Sequence, residues 1–507
     1  MKPPVEPEGD AAFGSLSADF RRIASGSVIY GLGSVLLRGL GFFLLPLYTR
    51  YLTPADYGVL AITTSVTAVL SVVYPLGLHG AVTRLYFETS EPGERRERVG
   101  VIWMTMLGLG LGMTLVLQVA GGWIFDRLFV DVPFAPYGML ATWTAFASLL
   151  GFMPLMLLQI EERSRLYVAA TGVTTLVTAA AIIWLVVANR LGATGYLIGT
   201  LVGAAVMGVP FLVMTWRSVH VVPRWDIMRS ALRYGLPLVP HGLASWTLEL
   251  SDRAILQRFV SLTQLGLYSL AYQFGTIMNI LASAINNAWI PFVFRRVNEQ
   301  GDVAKPALAR LATYFAFALV WIGLGLSLLV EDAIALLTAP PFHAAARFAP
   351  WIIFGCMFQS LYFVPGNFIL ARGRTSRIAL VTLVSGAVNV TLILLLAPQY
   401  GAIAAAWSTF AAYLLMLVLA WVFGQQAYTV PYEYVRLLRL VLVAGGLFAV
   451  GTLVLTEATP FRAVGRLGLW ALFPGALAAL GFFDRQELNA VGSFVRRLNP
   501  GQALRRR

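Results

Sequence analysis

Residues 50–62 read RYLTPADYGVLAI and residues 258–270 read RFVSLTQLGLYSL, and the two stretches align without a gap. In each stretch an Arg-aromatic pair is followed by a hydroxyl residue (Thr53, Ser261) and then by a glycine (Gly58, Gly266). The pattern predicts an apolar helix that ends at the Arg-aromatic pair, a polar turn, and a second helix with the glycine near its start. The repetition indicates that the chain contains two related halves.

The composition places these stretches in a membrane protein. Of the 507 residues, 58% are hydrophobic and 12% are charged, and the mean hydropathy is +0.75. A soluble protein carries about 25% charged residues. The net charge of +13 is explained by basic cytoplasmic loops, so we expect no nucleic-acid partner. Because Cys356 is the single cysteine and no Cys/His ligand spacing occurs, we expect neither a metal site nor a cofactor.

Fourteen apolar segments are long enough to cross a bilayer, which requires roughly 20 residues each. The connections between them are short and leave no room for a soluble domain. With the N-terminus placed in the cytoplasm, most of the 37 Lys and Arg residues fall on the cytoplasmic side, so both termini are predicted to be cytoplasmic. Arg462 and Arg466 are expected on the outer side, and Arg38, Arg84 and Arg253 remain within spans.

The repeated stretches predict the organisation of the chain. They join spans 1–2 and spans 7–8, and because six spans separate them both halves have the same orientation, as in transporters with parallel repeats. We therefore predict an all-α integral membrane protein in which two six-helix lobes surround a central cavity, followed by two extra helices. The predicted segments are a cytoplasmic tail (1–22), an N-lobe (23–216), a linker (217–230), a C-lobe (231–424), spans 13–14 (435–483) and a basic cytoplasmic tail (484–507).

Charged residues within the spans are the first candidates for a functional site, because a charge at the centre of a bilayer needs a partner or a water-filled cavity. Arg38 has no acidic residue within one turn, so it is expected to face another helix, the cavity or an anionic substrate. On span 7, Glu249 and Arg253 share a helix face and are expected to pair. Asp252 then remains as an extra carboxylate, which either holds a proton or pairs with Arg38 in one conformation. A salt-bridged patch at the cavity rim is the alternative.

Other polar side chains in the spans are ambiguous. Arg84 either extends to the interface or lines the inner vestibule, where its guanidinium suits a pyrophosphate. His241 is either a titrating group or a structural residue. The amides of span 8 predict a sugar-contacting stripe or a hydrogen-bonded seam between helices, and Gln359 and Asn367 on span 10 carry the same two interpretations. The span 8 amides are Gln273, Asn279, Asn286 and Asn287.

Three segments carry a family resemblance. They are GLGSVLLRGLGFFLLPLYTRYLTPADYGVLAITTSV (31–66), GLHGAVTRLYF (77–87) and RYGLPLVPHGLASWTLELSDRAILQRF (233–259). They resemble the first, second and seventh helices of oligosaccharide flippases of the polysaccharide-biosynthesis (Wzx-like) family, in the multidrug/oligosaccharidyl-lipid/polysaccharide exporter superfamily. The resemblance implies movement of an undecaprenyl-pyrophosphate-linked oligosaccharide across the inner membrane. It also suggests that spans 13–14 hold the prenyl tail, and that membrane lipids, a polysaccharide polymerase and chain-length machinery are partners.

Two other functions are considered. A membrane polymerase or ligase acting on the same lipid-linked sugars needs a large outer loop with catalytic residues, and the outer connections here are short. A cation-coupled exporter of the same superfamily usually has twelve spans, and the two additional spans 13–14 predicted here count against that function. No phosphate-binding loop is present, so we expect a transporter that does not itself hydrolyse ATP.

Overall fold

The computed structural model describes residues 39, 41–89, 91–218, 224–455 and 460–484, and within these ranges the chain is helical with no strand. The helices of the first part are α1 (Leu45–Tyr51), α2 (Pro54–Val73), α3 (Leu78–Phe87), α4 (Pro92–Leu128), α5 (Met139–Ile160), α6 (Ser164–Ile183), α7 (Gly192–Ser218), α8 (Trp225–Gly235) and α9 (Leu238–Leu256). They are followed by α10 (Leu262–Gln300), α11 (Lys305–Leu337), α12 (Ala349–Leu361), α13 (Phe363–Ala371), α14 (Thr375–Tyr400), α15 (Ala402–Ala427), α16 (Tyr434–Leu453) and α17 (Pro460–Ala479).

Ten stretches of the described chain are long and apolar enough to cross a membrane. Three of them contain two of these helices each, because Pro54–Phe87 covers α2 and α3, the 76 residues of Leu262–Leu337 cover α10 and α11, and Ala349–Ala371 covers α12 and α13. The predicted all-α, multi-pass membrane fold is therefore confirmed. The count of fourteen spans is not confirmed, since most of the first predicted span lies outside the described residues and α9 and α17 are not among the ten.

The helices form two compact units. The first comprises α1–α9, the start of α10 as far as Leu270, and residues 337–342 and 386–405. The second comprises the rest of α10, most of α11, residues 343–385, and the chain from residue 406 onward.

Within the first unit, two helix breaks lie against each other. Predicted span 7 is divided into α8 and α9 at Pro237, which has no N–H to donate to the preceding turn. The break between α2 and α3 contains Gly77, which has a positive φ of 69°. A Cβ on Gly77 would overlap the carbonyl oxygen of Gly235. A Cβ on Gly235 would in turn overlap the carbonyl oxygen of Leu76. The two glycines thus allow the backbones to touch, which fixes α8 beside α3.

The repeated stretches contact each other in the same unit. Gly58 and Gly266 are each the fifth residue of their helix, α2 and α10. A Cβ on Gly58 would overlap the carbonyl oxygen of Leu262, and a Cβ on Gly266 would overlap that of Pro54. Pro54 and Leu262 are aligned positions of the repeat, so each helix presents its glycine to the equivalent residue of the other. This reciprocity is the signature of a two-fold relation between related helices.

The caps of the two helices repeat as well. The Thr53 hydroxyl accepts from the backbone N–H of Asp56 at 3.1 Å, and the Ser261 hydroxyl accepts from that of Gln264 at 3.3 Å. In both helices the residue three positions after the cap also lies close to a glycine that has a positive φ, elsewhere in the same unit. A Cβ on Gly192 would lie 3.2 Å from Asp56 Oδ1, and one on Gly401 would lie 3.4 Å from Gln264 Oε1. The similarity of the two stretches therefore extends from sequence to backbone contacts, in support of the predicted parallel repeat.

Within the second unit, α17 is attached to α11 by a charge cluster. Arg462 donates from Nη2 to Asp332 Oδ1 at 2.6 Å and from Nη1 to Glu331 Oε1 at 3.1 Å. Arg466 donates from Nη1 to Glu331 Oε2 at 2.9 Å and from Nε to the Gly451 carbonyl, at the end of α16, at 3.2 Å. Both arginines are buried. They hold α11, α16 and α17 together, as planar guanidinium groups do when they contact several acceptors.

An indole pair continues this attachment. Trp321 of α11 and Trp470 of α17 stack with ring centroids 5.0 Å apart. Each indole N–H donates to the backbone carbonyl of the other residue, at 3.2 and 3.0 Å. The predicted span 14 is therefore fixed to the helix bundle through α11.

We expect Arg466→Ala to lower the free energy of unfolding by roughly 1–2 kcal/mol, because Glu331 and Asp332 each lose one of their two arginine partners and keep only Arg462. Thermal unfolding of the purified protein in detergent measures this. Arg190→Ala is the matched control, since Arg190 is exposed and has no ion pair within the described chain. Equal melting temperatures for the two variants would contradict the expectation.

Candidate functional site

A buried polar cluster lies between α9 and α10 of the first unit. Asp252 and Arg253 are only 2% and 7% exposed, and Tyr268 is fully buried. The Tyr268 hydroxyl donates to Asp252 Oδ2, and Arg253 Nη1 lies 3.1 Å from Asp252 Oδ1. The loop between the helices brings Tyr268 opposite Asp252. Both carboxylate oxygens thus have a donor, which compensates the cost of burying the charge.

This geometry gives two partners to Asp252, which the sequence analysis treated as the extra carboxylate of span 7. Asp252 is engaged by its sequence neighbour and by a tyrosine of the following helix. Glu249 and His241 lie on α9, but their side chains are outside the described part, so the Glu249–Arg253 pair stays a prediction. Arg38 also lies outside the described residues, and its pairing with Asp252 stays a prediction too.

The sequence analysis missed Gln257, one helical turn after Arg253. This residue is 3% exposed, and within the described part of the chain neither its Nε2 nor its Oε1 has a hydrogen-bond partner. An unpaired buried amide is costly, so such a group in a native protein indicates strain, a functional role or a bound water or ion. The sequence did contain a signal for this residue, because Gln257 is a polar amide one helical turn after two charged residues in a predicted membrane span. Gln257 therefore extends the polar cluster towards the loop that joins α9 to α10.

The amides of α10 divide into two groups. Asn367 of α13 donates from Nδ2 to Asn286 Oδ1 at 2.7 Å, and both side chains are buried. Asn286 therefore belongs to a hydrogen-bonded seam between helices. Asn279 is partly buried, with its Nδ2 at 4.0 Å from the Cys356 sulfur. Gln273 differs from these because its side chain is exposed.

Gln273 shares its exposed helix face with other polar residues. Thr276, one turn along α10, and Asn287, four turns along, are exposed as well. A polar face on a long membrane helix is more stable beside water than beside lipid tails. The Gln273 face of α10 can therefore offer amide and hydroxyl groups to a hydrated ligand.

Arg84 lies at the end of α3, in a charge network rather than in the Asp252 cluster. Its Nε is 2.8 Å from Glu88 Oε1, and its guanidinium lies 5.4 Å from the ring centroid of Tyr234 on α8. Arg98 of α4 approaches the same carboxylate at 3.1 Å. The hydrogen bond from Arg84 keeps the pKa of Glu88 below its usual range. Because the Arg84 side chain is still 57% exposed, it can also meet an anion from solution.

The structure thus brings together Asp252 with Arg253 in the first unit and Asn286 with Asn367 in the second, while Arg84 contacts Glu88 rather than the Asp252 cluster. Among the described residues no three His, Cys, Asp or Glu side chains are arranged to hold a metal ion. The chemistry available at the Asp252 cluster is the exchange of hydrogen-bond and ion-pair partners. The chemistry available on the exposed face of α10 and at Arg84 is non-covalent binding of sugars and phosphates.

Comparison with known proteins identifies the family. The family described as "Polysaccharide biosynthesis protein" matches residues 47–347, more than half of the chain. No curated protein matches the sequence.

The fold is similar to solved structures of membrane transporters. The lipid II flippase MurJ in an inward closed conformation superimposes with a TM-score of 0.74 at 13% identity, over 90% of this chain and 99% of that chain. An inward-facing multidrug resistance MATE family transporter of the MOP superfamily superimposes with a TM-score of 0.58 at 14% identity, over 77% of this chain and 93% of that chain. These identities establish similarity of fold alone. By its sequence match the chain belongs to the polysaccharide biosynthesis protein family, and it is a multi-pass membrane protein with the fold that MurJ and MATE transporters share.

Proposed function

We propose that this protein is a flippase that moves a polyprenyl-pyrophosphate-linked oligosaccharide across the inner membrane by alternating access, for surface polysaccharide export. The observation that carries the proposal is the reciprocal contact of α2 and α10 at Gly58 and Gly266. Helices from two related halves that touch through bare backbone form a contact that can close or open as a whole. Family membership and the fold shared with a lipid flippase support the same function.

The Asp252 cluster supplies a contact that can differ between the two states of the cycle. In this structure the carboxylate is held by Arg253 and Tyr268. In the opposite state Arg38 takes the place of Arg253, or a proton neutralises the carboxylate. A ligand or proton that binds one state better shifts the population towards it, and this is the free energy that drives the cycle. Glu249 and His241 are further coupling candidates on the same helix.

Substrate recognition divides between anionic and neutral groups of the cargo. Arg84 and Arg38 bind the pyrophosphate through bidentate guanidinium contacts. Gln273 and Asn279 of α10 bind hydroxyl groups of the sugars, while Asn286 acts indirectly by fixing α10 against α13. Helices α16 and α17 hold the prenyl tail. With both termini in the cytoplasm, Arg84 faces the leaflet in which the lipid-linked oligosaccharide is made. A polysaccharide polymerase and chain-length machinery then receive the translocated cargo.

A cation-coupled exporter is the second candidate, because the fold is also that of MATE multidrug transporters and the Asp252 carboxylate is buried. The two candidates differ in cargo. Accumulation of lipid-linked oligosaccharide in the inner leaflet of a deletion strain supports the flippase. Loss of drug resistance without a polysaccharide defect supports the exporter.

We expect Gly58→Ala to prevent closure of the α2–α10 contact, because the added methyl group overlaps the Leu262 carbonyl. Overpacking of this kind costs about 1–3 kcal/mol, which lowers the closed population roughly 5- to 150-fold. Export of surface polysaccharide then falls, and a cysteine placed at Ser261 in a Cys356→Ser background becomes more reactive towards an impermeant thiol reagent.

Gly112→Ala is the matched control for this test. Gly112 lies in α4, and a Cβ there meets nothing within 4 Å. Wild-type export and labelling in Gly58→Ala, with the same protein level in the membrane, would remove the contact from the transport cycle.

We expect Asp252→Asn to impair transport while the protein remains folded, because an amide keeps the size of the carboxylate but cannot hold a proton or a full ion pair. Tyr268→Phe is the control, since it removes one hydrogen bond and leaves the charge. Transport is measured as a function of pH in proteoliposomes. If Asp252→Asn keeps the wild-type rate at every pH, the carboxylate has no role in coupling.

We expect Arg38→Ala to abolish surface-polysaccharide export while membrane insertion is retained, because no other predicted span contributes an unpaired arginine at that depth. Export is measured by surface polysaccharide staining and insertion by membrane fractionation. Arg38→Lys tests the bidentate requirement, since lysine keeps the charge without the planar fork. Normal export in Arg38→Ala would exclude Arg38 from the mechanism.

A further inference from the structure

The short helix α8 has one face packed on the protein and one face exposed. Ile227, Ala231 and Leu232 pack against the apolar core formed by α3, α4 and their neighbours. On the opposite side, Trp225 is 67% exposed, and Arg229 and Arg233 are exposed as well. These three residues are spaced four apart, so they form one continuous stripe along the helix.

The arginines of the stripe differ from those around them in having no acidic partner. Arg224, just before α8, pairs with Glu97 at 3.0 Å and with Asp226 at 2.7 Å. Neither Arg229 nor Arg233 has an ion pair within the described part of the chain. The acidic groups nearby are thus used by other arginines, and the stripe retains two uncompensated positive charges.

The position of α8 places the stripe at a membrane boundary. The helix follows the candidate span Gly192–Met214 and is too short to cross a bilayer itself. It lies beside the end of α3, where the apolar span Pro54–Phe87 gives way to charged residues. At this depth an indole favours the interface and guanidinium groups favour phosphate headgroups.

We propose that the stripe Trp225–Arg229–Arg233 docks on the phosphate headgroups of anionic phospholipids in the membrane that holds the protein. Arg229 and Arg233 each bind a headgroup phosphate, and Trp225 inserts at the level of the glycerol backbone. The charge complementarity and the one-sided burial of α8 carry this assignment. It concerns the surrounding bilayer and stands whether or not the protein transports a lipid-linked sugar.

The test uses the full-length protein in lipid nanodiscs made with phosphatidylcholine alone or with added phosphatidylglycerol, without substrate. Brominated forms of each lipid quench nearby tryptophans, and the difference between wild type and Trp225→Phe isolates the signal of Trp225. We expect brominated phosphatidylglycerol to quench Trp225 more strongly than brominated phosphatidylcholine. The double variant Arg229→Gln/Arg233→Gln should weaken phosphatidylglycerol binding on the order of 10-fold.

Arg96→Gln is the matched control, because Arg96 is an exposed arginine of α4 that lies outside the stripe and has no ion pair within the described chain. An equal loss of phosphatidylglycerol binding in Arg96→Gln would show general charge attraction and overturn the proposal. Unchanged lipid preference in the double variant, or no quenching of Trp225 by either lipid, would overturn it as well. Added inorganic pyrophosphate should leave the quenching unchanged, and selective competition would instead identify a polyphosphate site.

Discussion

A polar group buried inside a membrane protein cannot hydrogen-bond to bulk water and needs a partner within the protein, and this constraint explains the buried polar contacts described above. Asp252 forms an ion pair with Arg253 and accepts a hydrogen bond from Tyr268, and Asn286 accepts a hydrogen bond from Asn367. Arg462 and Arg466 form ion pairs with the two carboxylates of α11. Each solution joins two helices, so satisfying a polar group also fixes the packing. Gln257 is one of several buried polar side chains of the described chain whose polar atoms have no hydrogen-bond partner.

The glycine contact between α2 and α10 follows from a different constraint. Between helices in lipid the hydrophobic effect contributes little, so close packing has to come from small residues that bring backbones together. Gly58 and Gly266 each bring their own helix close to the backbone of the other. One glycine on one helix would be enough for close approach, so the second glycine makes the contact symmetric. A contact that is matched on both sides is formed or lost in one step. That property suits a protein with two states better than a graded interface of many side chains.

The sequence predicted the membrane class and the repeat that aligns Gly58 with Gly266, because hydropathy and internal alignment are local patterns, but it did not predict that these two positions contact each other. It did not predict that Arg253 also contacts its sequence neighbour Asp252, since helix periodicity favours pairs three or four residues apart. The hydroxyl of Tyr268 reaches Asp252 through the hairpin of α9 and α10, and helix periodicity carries no information on that. The charge count predicts the outer side of the membrane for Arg462 and Arg466 and carries no information on their burial. Their burial depends on acidic residues of α11 more than a hundred positions earlier.

Neutrality of the Asp252 cluster bears on how such a protein could cross between states. A bare carboxylate in a low-dielectric interior is far more costly than a paired one, so a cycle that left Asp252 alone would stall at that point. The proposed exchange of Arg253 for Arg38, or for a proton, would keep the carboxylate compensated at both ends of the movement. Under the proposed exchange the carboxylate is paired in both states, so that it favours neither strongly, and binding of a cargo would then decide which state is populated.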